Sequence, residues 1–100
     1  KKPAPDIYDY ALEMMGLKAE NCLALEDSGN GVLSARAAGI DVVVTVNQYT
    51  NQQDFTDAAV VLDHLGEPAM PCRMLQGGVA PGPYIDVDYL RRLHAHCRSA

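Results

Sequence analysis

The chain has no tryptophan, a single phenylalanine, and only eight lysines and arginines against thirteen acidic residues. The resulting net charge of −5 excludes a general nucleic-acid binder, because a phosphate backbone selects for a surplus of Lys and Arg. The five tyrosines are not interleaved with basic residues, so base stacking has no support either. Small phosphorylated ligands are not excluded, since one lysine and a bound metal can invert a local field. No apolar run approaches the ~20 residues that a membrane-spanning helix needs, and no signal-peptide pattern is present. The three cysteines, Cys22, Cys72 and Cys97, are odd in number, far apart and without a C-x-x-C pair. They read as reduced thiols of a cytoplasmic protein, with Cys22 in the core. Nor does the chain open on methionine or on a strand. It starts Lys1-Lys2-Pro3 and is expected to be a fragment of something longer.

What is present suits one small globular domain. At 100 residues, 48% hydrophobic and 21% charged, the chain is not disordered. A chain of this length buries roughly 60–65% of its unfolded surface. Ile7, Tyr8, Ala11, Leu12 and Met15 recur at helical spacing, which predicts a helix with its entry over Lys2–Gly16. Pro5 and Asp6 suit its first turn and Gly16 its end. Cys22–Leu25 is a short apolar run consistent with a strand buried on both faces. Gly29–Ala38 follows as a second helix, Val42–Val46 as a β-branched strand, Asn47–Thr56 as a polar irregular loop and Ala58–Leu62 as a third strand. The order α-β-α-β-loop-β reads as half of a parallel α/β sheet. These elements form a core unit over residues 1–65. Prolines and glycines mark an extended arm over 66–84, and a final helix, about Asp86–Cys97, lies in the terminal segment 85–100.

The stretch A-L-E-D-S-G-N-G at 24–31 carries the chemistry. In open parallel sheets, ligands bind beyond the carboxyl ends of the strands, and Glu26-Asp27 sits at such an end. Mg²⁺ takes oxygen ligands, commonly one or two carboxylates with water and substrate phosphate. Adjacent residues on a strand point opposite ways, so one carboxylate binds directly and the other acts through water or as a support. Helix capping by Asp27 or Ser28 is the plainer alternative. It accounts for Asp27 and leaves Glu26 unexplained. Lys2, beside Pro3 and ahead of a helix, has the reach to meet a phosphoryl group as a point charge. A solvated lysine is the ordinary outcome at such a position.

K-P-A-P-D-I-Y at 2–8, C-L-A-L-E-D-S-G-N-G at 22–31 and A-R-A-A-G-I at 35–40 together resemble the haloacid-dehalogenase-like phosphatase superfamily. Within it the chain is most similar to the β-phosphoglucomutase-like, CbbY-type phosphosugar phosphatases. V-V-V-T-V-N-Q-Y-T-N-Q-Q-D-F at 42–55, V-L-D-H-L-G-E-P at 61–68 and Y-I-D-V-D-Y-L-R-R-L-H at 84–94 extend the likeness over nearly the whole chain. The resemblance implies half of a Rossmann-like three-layer core and a Mg²⁺-dependent hydrolysis of phosphosugars through an aspartyl-phosphate. Substrates of the xylulose 1,5-bisphosphate type are implied with it. Lys2 then matches the lysine that steadies the nucleophilic aspartate and the phosphoryl group. Asp27 matches the direct Mg²⁺ ligand, Glu26 the acidic neighbour that holds the ion through water, and Ser28 and Asn30 the residues that order the loop. A phosphosugar mutase of the same superfamily, or a non-catalytic α/β binding or assembly module, are the alternatives.

The superfamily's nucleophile lies in a D-x-D-G-T motif, and this sequence has none. Asp86-Val87-Asp88 imitates the spacing, but Tyr-Leu follows it, and Asp86 reads as an N-cap or first-turn residue of the last helix. The chain by itself is therefore expected to be inactive. In the superfamily the nucleophile-bearing strand lies beside Cys22–Leu25, so that strand is expected to expose an edge through which the chain self-associates. His94 and His96 sit about 200° apart around a helix and do not share a metal readily. His64 is isolated, and all three histidines read as solvated or capping.

Overall fold

The computed structural model describes residues 4–99. Helix α1 spans Asp6–Met15 and ends at Gly16, whose φ of 67° is the left-handed conformation that a residue without Cβ adopts cheaply. A 3₁₀ turn, Ala19–Asn21, leads into β1, Leu23–Glu26. Helix α2, Gly29–Ala37, follows at once, and β2 runs from Asp41 to Thr45. Strand β3 is Val60–Leu62, β4 is Met74–Gly77 and helix α3 closes the fold over Val87–Ser99.

The four strands form one sheet in the order β1-β2-β3-β4. The first three are mutually parallel, with Leu23 opposite Asp41 and Val43 opposite Val60. Strand β4 pairs antiparallel with β3, placing Gly77 opposite Val60. The β-branched run of β2 explains its central position. Val42, Val43 and Val44 are fully buried, and alternate side chains feed two different cores. Val42 and Val44 join Ala24, Val32, Ala35, Ile40, Phe55 and Val61 on the face covered by α1 and α2. Val43 joins Val60, Leu62, Tyr89 and Leu93 beneath α3. The result is a three-layer α/β/α arrangement with parallel strands at its centre, as the sequence predicts.

The structure differs from the sequence reading in several places. The segment expected as an extended arm contains β4 and is tied down. Leu65 O accepts from Ile85 N, and Cys72 N donates to Pro83 O, both at 2.8 Å. Gly66, at φ 83°, has no room for a Cβ, which would lie 2.3 Å from Pro83 O. The buried thiol is Cys72, whereas Cys22 is half-buried at the margin of the first core. The helix boundaries shift by one or two residues at α3, where Asp86 is the cap as expected: its Oδ1 accepts from Tyr89 N at 2.8 Å.

One flank is left open. None of the α1 side chains is buried, although Tyr8 and Leu12 pack against the first core. Leu25 of β1 is 56% exposed, so β1 is not buried on both faces as its apolar run suggests; it is one of the two edge strands of the sheet, the other being β4.

Candidate active site

The period of two along β1 puts Ala24 and Glu26 on the same face of the sheet, the one covered by α1 and α2. Glu26 is therefore drawn toward the helical layer. There the Tyr8 hydroxyl of α1 donates a hydrogen bond to Glu26 Oε2. The Glu26 carboxylate also lies directly over Gly31 in the first turn of α2. A Cβ at position 31 would stand 1.8 Å from Glu26 Oε1 and 2.5 Å from its Cδ. Partial burial, followed by the hydrogen bond to Glu26 and the charge of Glu26, pushes the Tyr8 phenol well above the ordinary tyrosine range.

Asp27 is the first residue past the strand and is exposed. Among the described residues its carboxylate accepts no hydrogen bond. Capping falls instead to Ser28. Its extended backbone (φ −140°, ψ 157°) starts the helix, and its Oγ accepts from Gly31 N at 3.1 Å. Of the two capping candidates, only Ser28 caps. Glu26 and Asp27 open together with Leu25 and Thr45 onto a shallow cavity of about 370 Å³ at the carboxyl ends of β1 and β2.

Ser28 and Asn30 line a neighbouring cavity of about 330 Å³, across from Gln53 and Asp54. Gln53 was not singled out from the sequence. Its Oε1 accepts from Gly29 N at 2.6 Å, so the loop after β2 is docked on the start of α2. Buried Phe55 and the Asn47 side chain, which accepts from Tyr49 N and Thr50 N, hold that loop in place. A polar loop after a β-branched strand is the signal that placed it at the rim. Lys2 lies outside the described residues.

Among the described residues no three His, Cys, Asp or Glu side chains converge on a point. The donors that are present still suit a hard cation. Two adjacent carboxylates at a strand's carboxyl end, in a cavity that Thr45 also lines, offer oxygen donors, and Mg²⁺ ordinarily takes only one or two protein carboxylates. The three histidines offer no competing site. His94 Nε2 is 2.6 Å from Glu20 O, and His64 Nδ1 accepts from Gly66 N at 2.9 Å.

A mostly parallel sheet between helical layers, with its first strand running into an acidic loop and a capped helix, defines a Rossmann-like α/β domain, a class that binds ligands beyond the carboxyl ends of its strands. A family model for haloacid dehalogenase-like hydrolases matches residues 1–39. The plasmid CbbY protein of Cupriavidus necator is 50% identical over 94 residues, covering 94% of this chain and 37% of that protein. CbbY of Rhodobacter capsulatus is 55% identical over 58 residues, 58% of this chain and 26% of its own length. A crystal structure of a CbbY mutant from Rhodobacter sphaeroides in complex with xylulose-(1,5)bisphosphate superimposes with a TM-score of 0.62 at 42% identity, over 69% of this chain and 32% of that one. The chain thus matches the haloacid dehalogenase-like hydrolase family over residues 1–39 and is similar to the CbbY proteins over most of its length. It spans between a quarter and two fifths of the length of these relatives.

Proposed function

We propose that the protein carrying this chain is a cytoplasmic Mg²⁺-dependent phosphatase of phosphosugars, with ketose bisphosphates of the xylulose 1,5-bisphosphate type as the substrate class. The observation that carries the reading is the pairing of an exposed Asp27 with a tethered Glu26 at the carboxyl end of β1. The bound xylulose bisphosphate of the CbbY structure supports the substrate class. A divalent cation would offset charge on the transferring phosphoryl group. In this chain Asp27 would ligate it and Glu26 would hold its water shell. Ser28 fixes the backbone that follows them by capping α2, and Asn30 lines the cavity shared with Gln53. Lys2 would balance charge between the phosphoryl group and a nucleophilic aspartate supplied from outside these residues. The 100 residues alone are thus expected to release no phosphate.

The test is phosphate release by the complete protein from a panel of sugar mono- and bisphosphates, with and without a chelator. Chelator-sensitive release from ketose bisphosphates is the expected result. Interconversion of sugar phosphates without release would assign a mutase instead, and no chemistry on any phosphosugar would leave a binding module. The open edge of β1 and the exposed Leu25 further support self-association of the isolated 100 residues. A monodisperse monomer by light scattering would refute that part.

A further inference from the structure

The contact between α1 and the acidic loop has a role that the strand alone does not explain. Two adjacent carboxylates repel each other, and a glutamate with three rotatable side-chain bonds gives up rotamer freedom when fixed. Left untethered beside Asp27, Glu26 would sample the same cavity and compete for the same cation. The structure closes off that freedom on two sides. The Tyr8 hydroxyl holds Oε2 from α1, and Oε1 packs onto the backbone of α2 at Gly31, where no side chain fits. We infer that Tyr8 is a positioning residue for the cation site: through its hydrogen bond it parks the Glu26 carboxylate over Gly31, so that Asp27 is the direct ligand and Glu26 its support. The inference rests on the metal-dependent reading above and adds to it the residue that divides the labour between the two carboxylates.

The Tyr8 ring is also part of the first core, packed among residues of α2 and the sheet. Tyr8→Phe keeps that packing and removes only the hydroxyl. Partners of metal-site carboxylates typically alter metal affinity 10–100-fold when lost. In the complete protein, Mn²⁺ binding followed by electron paramagnetic resonance is expected to weaken about tenfold in Tyr8→Phe. Glu26→Ala should weaken it comparably, and the double variant no further, because the hydroxyl acts only through that carboxylate. Gly31→Ala, which displaces the same carboxylate from the other side, should fall with them. If the wild type binds no Mn²⁺, the metal reading fails and the positioning role with it. If Asp27→Asn abolishes binding while Tyr8→Phe leaves it unchanged, or Tyr8→Phe weakens it equally with and without Glu26, only the positioning role is overturned.

Discussion

Replacing Gly31 with alanine tests the packing of the acidic loop from a direction that involves no ligand. The new methyl group would sit 1.8 Å from Glu26 Oε1, 2.5 Å from Cδ and 3.2 Å from Cγ. Every atom in its way belongs to the end of one flexible side chain, so the backbone can stay and the carboxylate must leave. Its departure removes the hydrogen bond from Tyr8. A bond to a charged acceptor contributes about 1.5–3 kcal/mol, and the partial exposure of both partners puts this one near ~1.5 kcal/mol. Against that, alanine is favoured over glycine within a helix by up to ~1 kcal/mol. The two nearly cancel, leaving a net loss of about 0.5 kcal/mol. Stability alone is therefore a weak readout, and the coupling is the strong one. By urea unfolding of the complete protein, Tyr8→Phe should cost about 1.5 kcal/mol in the wild-type background and about nothing in Gly31→Ala. An equal cost of Tyr8→Phe in both backgrounds would refute the contact. A loss above ~3 kcal/mol for Gly31→Ala alone would show that Glu26 cannot move aside, and that the site is rigid rather than tethered.

Other parts of the fold give independent checks. Asp41, at the start of β2, is buried and accepts from Arg36 Nη1 at 2.9 Å and from Arg98 Nη2 at 2.5 Å, which pins the end of α3. Both guanidinium groups are partly exposed and can resolvate, so Asp41→Ala should cost about 1–2 kcal/mol rather than the larger penalty of a fully buried pair. Amide exchange in the last turn of α3 should accelerate with it, and unchanged exchange would contradict the tie. Tyr8 should also be visible in alkali. Its folded-state pKa is raised, so its contribution to stability is complete below the ordinary tyrosine value of about 10 and is lost as pH rises beyond it toward the folded-state value. Burial raises the Tyr89 phenol as well, so in ultraviolet difference titration the last of the late-ionising steps should be the one that Tyr8→Phe removes. Persistence of that step in the variant would place the perturbed phenol elsewhere.

Much of the fold is legible in the sequence because local chemistry and tertiary demand agree there. Val42–Val44 is β-branched and buried on both faces, Gly16 takes the left-handed turn its position predicts, and Asp86 caps α3. The fourth strand is legible only in three dimensions. Met74–Gly77 shows no alternation, its Leu75 is 48% exposed, and pairing with β3 rather than its own pattern makes it a strand. The acidic pair stands out from its place after an apolar run, but its division of roles does not. Tyr8 and Glu26 are 18 residues apart, and nothing in either neighbourhood announces their contact. Gly31 carried the one available signal. A glycine inside a helix, where alanine is better by about 1 kcal/mol, points to a close approach. Gln53 has no such signal, since a glutamine in a polar loop is ordinary until the loop is seen docked on α2.

We propose that Asp27 holds the divalent cation on which phosphosugar hydrolysis depends. Its most direct test is phosphate release from xylulose 1,5-bisphosphate by the complete protein, wild type against Asp27→Asn, across a Mg²⁺ titration. Mg²⁺-dependent release by the wild type and a loss of at least about 100-fold in the variant, with its fold intact by circular dichroism, are the expected results. Equal release by both proteins at every Mg²⁺ concentration would contradict it.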